Sequence, residues 1–158
     1  MTDVKFVRVH PNAVLPSQND GDVGFDVHAV EDCVIEPRST SMISIGWKLA
    51  DEPMVTGACV HGNFRVLMKI EGRSGLASRG LWPVGGILDP SYRGEIIVVL
   101  HNSADRPHYV HAGAKIAQLV LYPVVANWMA YGKVVSFKEV EDVVQTERDT
   151  NGFGSTGA

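Results

Sequence analysis

The sequence predicts an all-β fold, a sandwich or barrel, on three observations. Short stretches rich in Val, Ile and Phe recur along the chain, clusters of Pro, Gly, Asn and Asp separate them, and no helical period is sustained. At 158 residues the chain is about one domain, long enough to stand on a core of its own.

The elements follow in order. "KFVRV" reads as a first strand and "PNAVLPSQNDGD" as the loop that ends it. "GFDVHAV" and "CVIE" read as short strands, then "EPRST" turns the chain into "SMISIGWKL". "ADEPMVTG" breaks that strand, and "NFRVLMKI" resumes the β pattern. "SGLASRGL" has room for one or two helical turns. "EIIVVLHN", "KIAQLVLYPV" and "KVVSFKEV" complete the strands, with "NSADRPH" and "HAGA" as turns and the acidic "EVEDVVQTE" as a second weakly helical stretch. In "EIIVVLHN" the run Ile96 to Leu100 is apolar without alternation, which implies burial on both faces. Either a second layer of the same chain or another subunit covers the second face.

Composition narrows the partners. The formal charge is −4 with no basic block, which argues against a nucleic-acid polymer but leaves a small anion held by placed arginines. Cys33 and Cys59 form no C-x-x-C pair, so free thiols in a reducing compartment are expected. No apolar run spans a bilayer and the amino terminus has no apolar leader core, so the expectation is a cytoplasmic protein with no membrane partner.

Four stretches could carry chemistry. "EGRSGLASRG" sets Arg73, Ser74 and Gly75 after a strand, where a guanidinium, a hydroxyl and N–H groups could meet an anion; an ordinary turn is the plainer reading. In "WPVGGILDPSYRGE", Val84 to Leu88 could make a tight hairpin whose backbone, at Gly86 and Ile87, reads a flat heterocycle. Asp89 could act there as a general base and Tyr92 pack on a sugar, while Asp89 to Tyr92 also fits a β-turn. "NDGDVGFDVHA" offers Asp26 to magnesium or its waters, with Asp20 and Asp22 read as loop solvation. Gln118 is either a backbone-satisfied amide or a ligand contact. The histidines match no metal motif and read as surface or edge-strand residues. The glycine-rich tail "RDTNGFGSTGA" is either a loose end or a clamp in which Phe153 covers a ligand face.

In order, "GFDVHA", "GRSGLA", "GGILDPSYRGE", "AGAKIAQLVLYPV" and "RDTNGFGSTG" resemble the five motifs of the homotrimeric dUTPases, from Gly24 to Gly157. The resemblance implies a distorted jelly-roll-like β-barrel over residues 1–147, a mobile arm over 148–158, and a homotrimer with active sites between subunits. It implies hydrolysis of dUTP to dUMP and pyrophosphate with magnesium, which limits uracil in DNA and supplies dUMP for dTMP synthesis. Asp89 would deprotonate the water that attacks the α-phosphorus, and Tyr92 would lie under the deoxyribose. Gly86 and Ile87 would read uracil through the backbone. Asp26 would hold magnesium-bound water, and Arg73, Ser74, Gly75 and Gln118 the triphosphate. From the arm, Arg148 would meet the γ-phosphate, Phe153 would stack on uracil, and Gly154, Ser155 and Thr156 would complete the phosphate cradle.

The chain departs from the common pattern at Gly72, Ser91 and Asp149, the last placing a negative charge beside Arg148, and Pro83 has no N–H to give a base. The segment Asp51 to Gly62 is longer than the family's shortest connections. The same fold also serves dCTP deaminases, which share the "GILDPSYRGE" region, and a nucleotide-dependent regulatory partner is a further role some relatives suggest. The "NGFGSTG" arm and "GRSGLASRG" favour the triphosphatase.

Overall fold

The computed structural model describes residues 4–51, 53–55, 64–124 and 139. Among them the chain is nearly all β. In order come β1 (Phe6–Arg8), β2 (Phe25–His28), β3 (Cys33–Ile35), β4 (Thr40–Leu49), β5 (Met54–Val55) and β6 (Phe64–Glu71). Then follow α1 (Ser74–Ala77), β7 (Leu81–Pro83), β8 (Ile87–Leu88), β9 (Glu95–Asn102), β10 (His108–Val110) and β11 (Lys115–Val124).

Two antiparallel sheets enclose one core. The first runs β1-β4-β9-β7, and the second β2-β11-β6-β5 with β8 also paired to β6, while β10 and β3 form a separate ribbon. Sequence neighbours are seldom sheet neighbours, as expected when strands alternate between the layers of a jelly roll. Ile43, Ile45, Ile96 and Val98 from the first sheet meet Val27, Met68, Ile70 and Leu119 from the second. Each such side chain contributes roughly 1.5–3 kcal/mol when fully buried.

Among the described residues β9 is buried on one face only, and no second layer of the same chain covers the other. Ile96, Val98, Leu100 and Asn102 are buried, while Glu95, Ile97, Val99 and His101 are only half-buried. The outer face of that sheet is nevertheless apolar: Met42 is 75% exposed, Trp82 41% and Val84 39%. His101 lies on this face within an interior strand, not an edge one, and its Nδ1 is 3.1 Å from Thr40 Oγ1.

Two polar details tie flanking loops and the β3–β10 ribbon to the first sheet. The Trp47 indole N–H donates to Val14 O (2.9 Å), with the Arg8 guanidinium 4.5 Å from its ring centre. Asn102, fully buried, donates to Ile35 O (3.0 Å), Glu36 O (3.2 Å) and Arg106 O (2.8 Å), and accepts from Ala104 N (3.0 Å). A buried amide is tolerated there because its hydrogen-bonding capacity is used.

The stretch from Val84 to Leu88 is not a hairpin. β7 pairs with β9 in the first sheet and β8 with β6 in the second, so the segment crosses between layers. Val84 N donates to Val99 O on one side, and Ile70 N donates to Gly86 O on the other, at 2.9 and 2.8 Å. Gly86 has φ +106, and a Cβ there would lie 2.8 Å from Ile70 O. The crossing therefore admits only glycine at that point.

Candidate active site

The first cleft opens where β2, β11 and the end of β6 meet. It has a volume of about 440 Å³ and is lined by Asp26, Arg73, Ser74, Gly75, Lys115 and Gln118, with Asp22 and Arg79 at its margins. Asp26 is fixed by backbone bonds: its N–H donates to Ser17 O (2.6 Å), and it is registered opposite Gln118 of β11. Gln118 in turn donates through Nε2 to Gly72 O (2.9 Å). The amide is thus backbone-satisfied and also part of the cleft wall. Arg73, with extended backbone, precedes the helical turn of α1, whose first N–H groups have no intrahelical partner. A Cβ at Gly75 would meet nothing within 4 Å, so the turn leaves open space on the cleft side.

Charge is concentrated around Asp26. Arg73 Nε is 2.9 Å from its Oδ1 and Lys115 Nζ 2.8 Å from its Oδ2. Burial alone would raise the carboxyl's pKa, but the Lys115 hydrogen bond and the charges of Arg73 and Lys115 outweigh it and hold it below the ordinary value. His28 is pushed down, first by burial and then by Lys115, so the imidazole favours its neutral form. With Arg73, Arg79 and Lys115 against Asp22 and Asp26, the lining carries a positive excess inside an acidic protein, which suits a polyphosphate.

The second cleft, about 220 Å³, is lined by Met42, Ile87, Leu88, Asp89, Tyr92, Glu95 and Ile97. Asp89 begins a β-turn closed by Tyr92 N donating to Asp89 O (2.9 Å), the turn expected from Asp-Pro. Tyr92 is 44% exposed and its hydroxyl donates to Glu95 O (3.1 Å). A Cβ on Gly94 would come 2.9 Å from Tyr92 Cε2 and closer still to its hydroxyl end, so glycine lets the ring lie down over the strand. Asp89 and Ile87 are both exposed at the mouth.

The structure brings Asp26, Arg73, Ser74, Gly75 and Gln118 into one cleft, and Ile87, Asp89 and Tyr92 into another, with no residue lining both. Gly86 lies on the crossing beside the second. Arg148, Phe153, Gly154, Ser155 and Thr156 lie outside the described residues, as does most of Asp51 to Gly62. Sequence reading passed over Lys115 and Arg79. Both stand inside quoted stretches, "AGAKIAQ" and "GLASRG", but a surface lysine and a turn arginine carry no signal until the fold turns them into one cleft. Asp22, read as loop solvation, does organise its loop by accepting from Asn19 Nδ2 (2.9 Å), and also lines the cleft. Among the described residues, no three or more His, Cys, Asp or Glu side chains gather as a metal-binding group, and no helix is long and apolar enough to cross a membrane.

Known proteins resemble the chain over nearly its whole length. The dUTPase family model matches residues 11–157. A deoxyuridine 5'-triphosphate nucleotidohydrolase of Picosynechococcus is 37% identical over 98% of each chain. Enzymes of the same name from Helicobacter pylori and Corynebacterium glutamicum are 35% and 38% identical, covering 98% and 99% of this chain and 96% and 98% of their own. Among solved structures, the dUTPase of Staphylococcus bacteriophage 80alpha with dUpNHpp has a TM-score of 0.76 at 21% identity, covering all of both chains. The dUTPase of S. aureus phage phi11, described with a structural Mg(II) ion, has a TM-score of 0.66 at 20% identity over 89% of this chain and 97% of its own. On the family match and on these near-full-length relatives, the chain belongs to the dUTPase family.

Proposed function

We propose that this chain hydrolyses dUTP to dUMP and pyrophosphate, the reaction in its relatives' names. The observation that carries the reading is the cationic cleft in which Arg73, Lys115 and the Ser74–Gly75 turn converge about Asp26. In this reading Arg73, Ser74, Gly75 and Gln118 position the triphosphate, with pre-aimed donors that need no reorganisation as charge shifts in the transition state. Asp89 takes the proton of the attacking water, Tyr92 packs under the deoxyribose, and the main chain at Gly86 and Ile87 reads the base.

Magnesium fits a substrate-loaded site. Asp26 is a hard oxygen donor at the cleft wall, and one or two carboxylates with phosphate oxygens and waters are a usual set for this ion. Both its oxygens are engaged by cations, which favours contact through bound water over direct ligation. When bound, the ion would offset charge on the triphosphate.

We further propose that the two clefts are halves of one site completed by a neighbouring subunit in a homotrimer. Their separation on one chain and the apolar outer face at Met42, Trp82, Val84 and Ile97 support it. The division into a barrel, residues 1–147, and a closing arm, 148–158, belongs to the same proposal, with Arg148 on the γ-phosphate, Phe153 over uracil, and Gly154, Ser155 and Thr156 around the phosphates.

The test is incubation with dUTP and, separately, dCTP in the presence of magnesium. Pyrophosphate released from dUTP supports the assignment. Conversion of dCTP to dUTP without pyrophosphate would replace it with the deaminase reading.

A further inference from the structure

Gly24 stands one residue before β2, beside the cleft, and its backbone is outside the left-handed region that favours glycine. Conformational freedom therefore does not explain it. A Cβ at this position would fall within the Gln118 side chain, 2.7 Å from Cδ, 3.1 Å from Cβ and closer still to Oε1. The space a larger residue would occupy is filled by the Gln118 amide. That amide reaches past Gly24 from β11 to donate to Gly72 O at 2.9 Å. Gly72 is the residue before Arg73, whose Nε meets Asp26 Oδ1 at 2.9 Å.

We propose that Gly24 is a positioning residue. By carrying no side chain it lets Gln118 lie against β2 and hold Gly72, and so sets the Arg73–Gly75 turn over Asp26. The inference rests on the dUTP reading for its kinetic consequence, and on geometry alone for its structural one. The atoms in the way are mostly the far end of a flexible side chain, so alanine at Gly24 displaces Gln118 and leaves the sheet standing. The expected defect is accordingly in the site and not in the fold.

The experiment is a double-mutant cycle on the full chain, read in two ways. In the nucleotide-free protein, Gly24→Ala shifts the side-chain amide resonances of Gln118, assigned with Gln118→Ala. In dUTP turnover, Gly24→Ala and Gln118→Ala each lower kcat/KM about 10- to 100-fold, carried by KM because the Asp89 cleft is untouched. The double variant is no worse than Gln118→Ala alone, since the obstructing amide is gone and the two changes remove one interaction. Unmoved amide signals, undiminished kcat/KM, a loss confined to kcat, or losses that multiply would each overturn the proposal. If Gly24→Ala alone does not fold, a folded double variant supports the same relation and an unfolded one overturns it. The amide signals are read without nucleotide, so their failure is separable from failure of dUTP as the substrate.

Discussion

Lys115 Nζ lies 2.8 Å from Asp26 Oδ2, at the edge where β11 and β2 pair. The second oxygen of that carboxylate is held by Arg73, so a single half-buried acid orients both cations at the cleft wall. Replacing the lysine with an isosteric neutral side chain tests its share. Lys115→Met is expected to raise KM for dUTP about tenfold, with a smaller change in kcat and a weaker dependence on salt, because screening acts on the cation that was removed. Steady-state kinetics at two ionic strengths check it; an unchanged KM at both would take Lys115 out of the site.

Gly75 has a different vulnerability. Its missing Cβ opens onto empty cleft and its backbone needs no positive φ, so Gly75→Ala is compatible with the fold and adds helix propensity in α1. The melting temperature is expected to hold or rise slightly, while the methyl group would take up the space proposed for phosphate and raise KM about tenfold. Calorimetry beside kinetics separates the two effects. A wild-type KM would mean that ligand does not approach this turn.

Asn102 carries stability, not chemistry. Asn102→Ala leaves the carbonyls of Ile35, Glu36 and Arg106 and the N–H of Ala104 without their side-chain partner in the interior. We expect a loss of about 2–4 kcal/mol in urea unfolding, with dUTP kinetics per folded molecule unchanged. A loss below about 0.5 kcal/mol would show that water replaces the amide.

Acid should weaken the fold through histidine. His108 is held below its ordinary value of 6.5, first by burial and then by the charges of Arg79 and Arg106, and His28 is likewise lowered. With the folded pKa depressed, the unfolded chain binds more protons over the window beginning near 6.5, so stability rises with pH there and falls on acidification. Thermal melts from neutral pH downward check this, and His108→Gln should flatten part of the slope. A slope that is identical in the variant would move the effect to His28 or the carboxylates.

Long apolar stretches were legible before the structure because Val-, Ile- and Leu-rich runs bounded by turn residues mark buried strands. "SMISIGWKL", "NFRVLMKI", "EIIVVLHN" and "KIAQLVLYPV" became β4, β6, β9 and β11. The short strands β5, β7, β8 and β10 were hidden, since two or three residues within Pro- and Gly-containing stretches have no period to read. Gly85-Gly86 looked like a hairpin because local chemistry cannot tell a turn within one sheet from a crossing between two. The residues of each cleft were legible in the motifs, but their separation into two clefts was not. The spacing of Asp26, Arg73 and Gln118 says nothing of distance, and it took the pairing of β11 between β2 and β6 to gather them away from Asp89 and Tyr92.

Subunit complementation measures directly whether the two clefts act across a subunit boundary. Asp26→Ala disables the first cleft and Asp89→Asn the second, so each variant alone should be nearly inactive toward dUTP. Unfolded together and refolded at equal proportions, they should regain about a quarter of wild-type activity, because across randomly assembled trimers that fraction of sites pairs an intact half from each neighbour. Mixed samples no more active than the two variants apart would place both clefts' work within one chain and contradict the shared site.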